Sequence, residues 1–278
     1  MVVNTLSPPE LDKRFHFISG FPRSGSTLLA SILRQNPMFE ANISTPVGRI
    51  VTDALGAMGP YNEAARYLTK NSRVRILQGI ISAYYADTKK DVVFDNNRRW
   101  VANTALLAEL YPSSKIICCL RSPAAVVDSF EVLFRKNPTY LSVAYGGKAN
   151  LTVYERVGAI MASDGVVGFS LNAFRDAFYG PHRKNLLLVN YDDLCRFPRD
   201  IFADLHEALG YEPFEYDFEH IENIPGSEDF DNDVATPGLH VLKPKVVYEE
   251  RTTCLPPDIF NNLPKPFWIV NKEATTAL

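Results

Sequence analysis

Apolar positions along this chain alternate between short continuous runs and amphipathic stretches, for most of its length. Arg14 to Ser19 is a short apolar run before a Gly-rich turn and predicts a first strand. Ser24 to Gln35 carries Leu28, Leu29, Ile32 and Leu33 at helical spacing. Asn36-Pro37 ends that helix, because the residue before a proline is driven out of the helical region. Asn42 to Pro46 is polar and loop-like, and Gly59-Pro60 separates two further predicted helices, Val47 to Met58 and Tyr61 to Tyr85. Asp91 to Asp95 predicts a second strand. Arg98 to Leu110 predicts a helix with Val101, Ala105, Leu106 and Leu110 on its apolar side and Trp100 beside them. Lys115 to Leu120 is nearly all apolar, as in a strand covered on both faces. Pro123 opens a helix reaching about Arg135, at the first helical position where proline is tolerated. Thr152 to Tyr179 is helical with a break near Gly165, Asn185 to Tyr191 is another covered strand, and Pro198 to Leu209 is a helix closed by Gly210.

Strands alternating with helices predict an α/β fold with a parallel central sheet flanked by helices on both faces. Beyond Gly210 the periodicity dissolves, and 222–266 is rich in Pro, Gly, Asp and Asn. A structureless stretch of that length is usually functional, so it is expected to form an irregular C-terminal lid or loop within a single domain spanning 1–278. In such sheets ligands bind beyond the carboxyl ends of the strands. Arg23, Asp95, Arg121 and Tyr191 fall at or just after the ends of the four predicted strands, which places them on one edge.

Composition changes this picture little. Hydrophobic residues are 46% and charged residues 22% of 278, ordinary values for a globular chain. The formal net charge is −3, so no global positive field draws the chain to nucleic acid or an anionic membrane, and any anion site has to be local. The four cysteines show no metal-ligand spacing; Cys118 and Cys119 are adjacent in a strand and are expected as buried thiols on opposite faces. Met1 to Arg14 has no apolar signal region, and no apolar run reaches the roughly 18 residues of a membrane span, so a cytoplasmic setting is expected.

The chemistry lies in Gly20-Phe21-Pro22-Arg23-Ser24-Gly25-Ser26-Thr27-Leu28. A strand, a tight turn and a helix start aim a row of backbone amides and a helix dipole at one point, an arrangement suited to an anion. Amides from Ser24 to Leu28 and the hydroxyls of Ser26 and Thr27 supply donors, and Arg23 supplies charge. The spacing of Gly20 and Gly25 is that of a phosphate loop, but Ser26 stands where a nucleotide triphosphatase has its lysine. The bland alternative is a turn with Ser24 as helix cap. A second segment offers Arg121 at a strand end and Ser129 eight residues on, in the second turn of the next helix, as another phosphate clamp; the alternative is a surface ion pair.

Together these segments resemble the cofactor signature of sulfotransferases that use 3′-phosphoadenosine 5′-phosphosulfate (PAPS). Pro22-Arg23-Ser24-Gly25-Ser26-Thr27 is similar to the family's 5′-phosphosulfate loop, in the arginine form of the tyrosylprotein and carbohydrate enzymes. Arg121 and Ser129 match its 3′-phosphate pair, and Asn190-Tyr191-Asp192-Asp193-Leu194 resembles a later element whose tyrosine contacts the nucleotide. The resemblance implies a P-loop NTPase-like three-layer sandwich, PAPS as cosubstrate with no metal, and a small-molecule, glycan, lipid or peptide acceptor. It also implies a C-terminal loop closing over the cofactor, for which His240 and Lys243 are the candidates.

The acceptor needs a general base. The tyrosylprotein enzymes use a Glu after the first helix, where this chain has Ser44 or Thr45, and the cytosolic enzymes use a His after the second strand, where this chain has none. Asp95 is therefore expected as base and Arg98 as electrostatic partner, with Glu40 and Asp53 as alternatives and helix capping as the competing role for Asp95. The rival functions are a nucleotide kinase or triphosphatase with a degenerate loop, and a nucleotide-binding module without turnover.

Overall fold

The computed structural model describes residues 13–269; Met1 to Asp12 and 270–278, including most of the segment read for a signal sequence, lie outside the described residues. The chain runs β1 (Arg14–Gly20), α1 (Ser26–Leu33), β2 (Phe39–Ala41), α2 (Val47–Ala57), α3 (Lys70–Tyr84), β3 (Val92–Asn96), α4 (Thr104–Leu110), β4 (Ile116–Leu120), α5 (Pro123–Lys136), α6 (Val153–Met161) and α7 (Val166–Tyr179). It continues through β5 (Leu186–Asn190), α8 (Tyr191–Arg196), α9 (Pro198–Leu209), α10 (Ser227–Asp233) and α11 (Pro257–Asn262).

The five strands form one parallel sheet in the order β2-β3-β1-β4-β5. Chain order reverses direction around β1, which lies between β3 and β4, so the crevice for a ligand opens beyond the carboxyl end of β1. The two-residue strand period divides the core into two layers. Phe17, Val93, Cys118 and Leu120 face one, with Trp100, Val127, Phe174 and Phe178. Ile18, Phe94, Ile117 and Cys119 face the other, with Leu29, Val189 and Phe202. Cys118 and Cys119 are thus buried free thiols on opposite faces, as their adjacency predicts. Burial holds both in the protonated form, Cys119 with its pKa pushed up to about 12.

Four elements differ from the sequence expectation. β2 is added beside β3, three residues too short to register as a run. The helix predicted from Tyr61 is a turn of 3-10 helix (Glu63–Tyr67) followed by α3, because the Thr69 side chain accepts from the Ser72 amide and restarts the chain as a cap. The helix predicted from Arg98 is likewise divided into a 3-10 turn (Trp100–Asn103) and α4, with Trp100 fully buried. In 222–266 the chain forms the short helices α10 and α11 within otherwise irregular backbone. Among the described residues, 153–179 is long and apolar enough to cross a membrane by length and composition, which the sequence reading did not flag. The stretch is broken between α6 and α7, and α7 buries Val167, Phe174 and Phe178 in the core.

Candidate functional site

The turn after β1 requires left-handed backbone at Gly20 (φ 111°), Arg23 (φ 59°) and Gly25 (φ 87°). A Cβ on Gly25 would stand 2.7 Å from the Tyr191 ring, so glycine allows both the backbone conformation and the close approach of the turn to α8. Gly25 caps α1 with no side-chain hydrogen bond, and the first turn of α1 has no acidic residue. The first α1 backbone bond runs from the Leu29 amide to the Gly25 carbonyl, at 2.8 Å. The amides of Ser26, Thr27 and Leu28 are therefore the helix's unsatisfied donors, and they sit at the positive end of its dipole.

Arg23 folds back across this turn. Its Nε donates to Ser129 Oγ on α5 at 3.2 Å and its Nη1 donates to the Leu239 carbonyl. Burial lowers its pKa to about 10, with Arg121 and Arg251 pushing the same way against Tyr191 and Asp231. Arg121, just past β4, lies with its guanidinium carbon 4.3 Å from the Tyr191 ring centroid, and its Nε is buried without a hydrogen-bond partner among the described residues. Burial also raises the Tyr191 pKa, so its phenol stays protonated beside the two arginines.

These groups line one cavity of about 330 Å³. Arg23, Gly25, Ser26, Thr27, Leu28, Arg98, Arg121, Ser129, Tyr191, His240 and Lys243, all candidates from the sequence, border it. Arg98 is held with its pKa lowered by burial and by its neighbour Arg99. Lys243 pairs with Glu249 at the rim. Phe21, Phe130, Ala144, Val166 and Val234 give the cavity an apolar wall, and the exposed Val143 and Val241 stand at its edge.

Two expected residues are elsewhere. Ser24 is fully buried; its hydroxyl turns to the Pro22 carbonyl at 3.4 Å and does not border the cavity, so it neither caps α1 nor offers its side chain to a ligand. Asp95 is also fully buried and outside the lining. Its Oδ2 accepts from Thr45 Oγ1 (2.7 Å) and Tyr85 OH (2.6 Å), and its Oδ1 from Trp100 Nε1 (2.5 Å). The assignment of Asp95 as general base is therefore corrected. Its carboxyl is engaged in a buried network with Thr45, Tyr85 and Trp100, and it caps no helix among the described residues. Burial raises its pKa, opposed by the three donors. The alternatives fare no better: Glu40 is engaged by Asn42 and Thr88, and Asp53 by Arg49 on the exposed side of α2.

Sequence reasoning gave no site role to Ser44, Asn96, Lys245 and Arg251, which border the cavity, or to the Leu239 carbonyl that holds Arg23. It also missed Asp231, which is 1% exposed and grips His240. Asn96 was within reach: it follows Asp95 on β3, and the strand period sends the two side chains to opposite faces.

A family model described as the sulfotransferase family matches residues 16–216. The chain belongs to that family. The nodulation protein NoeE of Sinorhizobium fredii (strain NBRC 101917 / NGR234) is 27% identical over 222 residues, which cover 71% of this chain and 50% of that protein. The chain thus spans about half the length of this curated relative. Among solved structures, it is similar to the sulfotransferase domain from the curacin biosynthetic pathway, with 18% identity, a TM-score of 0.49, and coverage of 73% of this chain and 75% of that one. A sulfotransferase from Alicyclobacillus acidocaldarius is similar at 17% identity and a TM-score of 0.45, covering 78% and 89% of the two chains. Of Ser44 and Thr45, Ser44 borders the cavity and Thr45 donates to Asp95.

Proposed function

We propose that this chain transfers a sulfuryl group from PAPS to a hydroxyl or amine acceptor and releases adenosine 3′,5′-bisphosphate. The observation that carries the reading is the buried, unpartnered Nε of Arg121, stacked on Tyr191 in the same cavity as the α1 amides and Arg23. A buried guanidinium donor without a partner costs free energy that an anion would recover. Two such anion sites on separate segments suit a ligand with two separated phosphate groups. Ser26, Thr27, Leu28 and Arg23 would hold the 5′ end, and Arg121 with Ser129 and Tyr191 the 3′-phosphate. PAPS supplies an activated sulfuryl group on a phosphate leaving group, and Arg23 stands where charge grows on the leaving oxygen. Ser26 in place of the triphosphatase lysine disfavours the kinase reading. Family membership favours a small-molecule or glycan acceptor, and the apolar wall from Phe21 to Val234 is the side from which it would enter. In this reading 222–266 belongs to the same single domain and acts as the cavity's lid, supplying His240, Lys243, Lys245 and Arg251.

Calorimetry tests the proposal. Adenosine 3′,5′-bisphosphate should bind far more tightly than AMP, in the presence or absence of Mg²⁺. Arg121→Ala should remove most of that preference, a loss of about 1.5–3 kcal/mol as for a charged hydrogen bond. Equal affinity for the two nucleotides would overturn it. Tight binding without transfer of labelled sulfate to any acceptor in a broad panel would favour the binding-module reading.

A further inference from the structure

Among the described residues that border the cavity there is no aspartate or glutamate. Its cations are Arg23, Arg98, Arg121, Lys243, Lys245 and Arg251; arginine and lysine ordinarily stay protonated at neutral pH. Tyr191 and Cys195 are held protonated by burial. That leaves His240, the one histidine in the lining among the described residues, as a side chain of the type that most often serves as a general base.

His240 is also held as a base would be. It follows Leu239, whose carbonyl accepts from Arg23, so the imidazole is anchored one residue from the arginine at the reacting end of the cavity. Asp231 on α10 grips it twice: His240 N donates to Oδ2 at 2.8 Å, and Nδ1 lies 2.5 Å from Oδ1. A carboxylate can only accept, so in the neutral imidazole Nδ1 carries the proton and Nε2 the lone pair. Nε2 has no hydrogen-bond partner among the described residues, and the Phe230 ring packs against the imidazole edge-on with centroids 5.2 Å apart. Asp231 is itself buried, and its backbone carbonyl accepts from the Thr236 amide at 2.8 Å, which closes the turn leading to His240. A buried carboxylate fixing the tautomer and orientation of a cavity-lining imidazole is the arrangement by which an Asp–His pair produces a general base.

We infer that His240 is the general base of the transfer and that Asp231 is its positioning residue; this rests on the sulfotransferase reading above. His240 Nε2 takes the proton from the acceptor hydroxyl as the acceptor oxygen bonds to sulfur. The bond from sulfur to the 5′-phosphate oxygen breaks, and its electron pair leaves on that oxygen beside Arg23. His240 is thereby reassigned from cofactor contact to acceptor activation.

Three measurements on His240 and one on Asp231 test this. First, ¹⁵N NMR of the protein with bound adenosine 3′,5′-bisphosphate should show His240 protonated at Nδ1 and bare at Nε2, whatever the acceptor. Second, His240→Gln should bind the bisphosphate within about threefold of wild type but lose 100-fold or more in transfer of ³⁵S from labelled PAPS. The acceptor for that comparison is the fastest member of a panel of aliphatic alcohols, phenols and chitooligosaccharides, or water if none turns over. Third, added imidazole should restore part of the activity of His240→Ala, which a purely structural histidine would not allow. Asp231→Asn should lower kcat with little change in bisphosphate affinity and lose the Nδ1-protonated tautomer. An Nε2-protonated tautomer, or turnover in His240→Gln within tenfold of wild type, would overturn the inference. Failure of wild type to bind the bisphosphate would instead overturn the reading beneath it.

Discussion

Replacing Asp95 with Asn separates a structural carboxyl from a catalytic one. Three donors converge on this buried group: Thr45 and Tyr85 on one oxygen, Trp100 on the other. Asparagine offers one oxygen and one amide nitrogen of the same shape. If its oxygen keeps Thr45 and Tyr85, its NH₂ faces the Trp100 N–H across what is now a 2.5 Å contact, donor against donor. An orphaned buried donor costs about 1–3 kcal/mol, and the two remaining bonds lose their charge assistance. Relief of the carboxyl's own burial offsets part of this. The expected net loss is about 2–3 kcal/mol. For a protein of this size that lowers Tm by roughly 4–10 °C. The assay is a pair of measurements: thermal unfolding by circular dichroism, and initial rate of sulfate transfer per folded molecule at a temperature well below both transitions. Asp95→Asn should be less stable and transfer at close to the wild-type rate. An unchanged Tm with a 100-fold loss of turnover would refute the reasoning, because it would mean that the carboxyl reaches the reacting groups.

Arg23→Ala should lower kcat on the order of 100-fold while weakening bisphosphate binding much less, because its contact strengthens as charge develops on the leaving oxygen; a raised KM for PAPS with unchanged kcat would show that Arg23 only binds. A second outcome concerns pH. His16 is buried on β1, accepting from the Lys115 amide at Nδ1 and paired through Nε2 with Tyr211, and burial first, then Arg14 and Lys115, lower its pKa from 6.5 to about 4. The unfolded chain binds the proton below pH 6.5 and the folded chain only near 4, so stability present above 6.5 is lost as pH falls, by about 3 kcal/mol in total. Urea unfolding at pH 7.5 and 4.5 should show His16→Asn losing less stability over that interval than wild type; equal losses would remove His16 as the cause.

The parts of the fold legible in the sequence are those built by local rules. β1, β4 and β5 are apolar runs flanked by turn residues, α5 opens on Pro123, and α9 closes on Gly210 in the left-handed region, at φ 71°. The loop from Gly20 to Thr27 was legible for the same reason, since its glycines answer to backbone needs a one-dimensional spacing records. Asp95 shows where such reasoning stops. A strand end places a residue near the ligand edge, but the side-chain period decides which way it turns, and Asp95 turns toward Trp100 in the core while Asn96 borders the cavity. The Asp231–His240 pair was illegible for a different reason. α10 is polar along most of its length and has no apolar stripe, so nothing periodic announced it, and the pairing exists only because the turn through Thr236 brings two parts of an irregular segment together.

The electrostatics of the cavity follow from where charge is absent as much as from where it is present. The chain as a whole is acidic, with 32 Asp and Glu against 29 Lys and Arg, yet the described cavity lining holds six cations and no carboxylate. Three carboxylates close to these residues are held by other groups: Asp95 by the Thr45–Tyr85–Trp100 network, Asp231 by His240, and Glu249 by Lys243 at the rim. Arg23 and Arg121 both border the cavity, and Arg121 with Arg251 pushes the Arg23 pKa the same way as burial, against Tyr191 and Asp231. In a partly desolvated cavity like charges repel more strongly than they would in water. The folded chain holds them there because neighbouring groups constrain them: Ser129 and the Leu239 carbonyl bind Arg23, and the Tyr191 ring carries Arg121. In the proposed reading, a ligand with two separated phosphates would relieve that repulsion at both ends at once. A ligand with one phosphate leaves either Arg121 or the α1 amides unanswered. In the proposed reading, preference for the bisphosphate would come from these two clamps and would need no contact to the base to be strong.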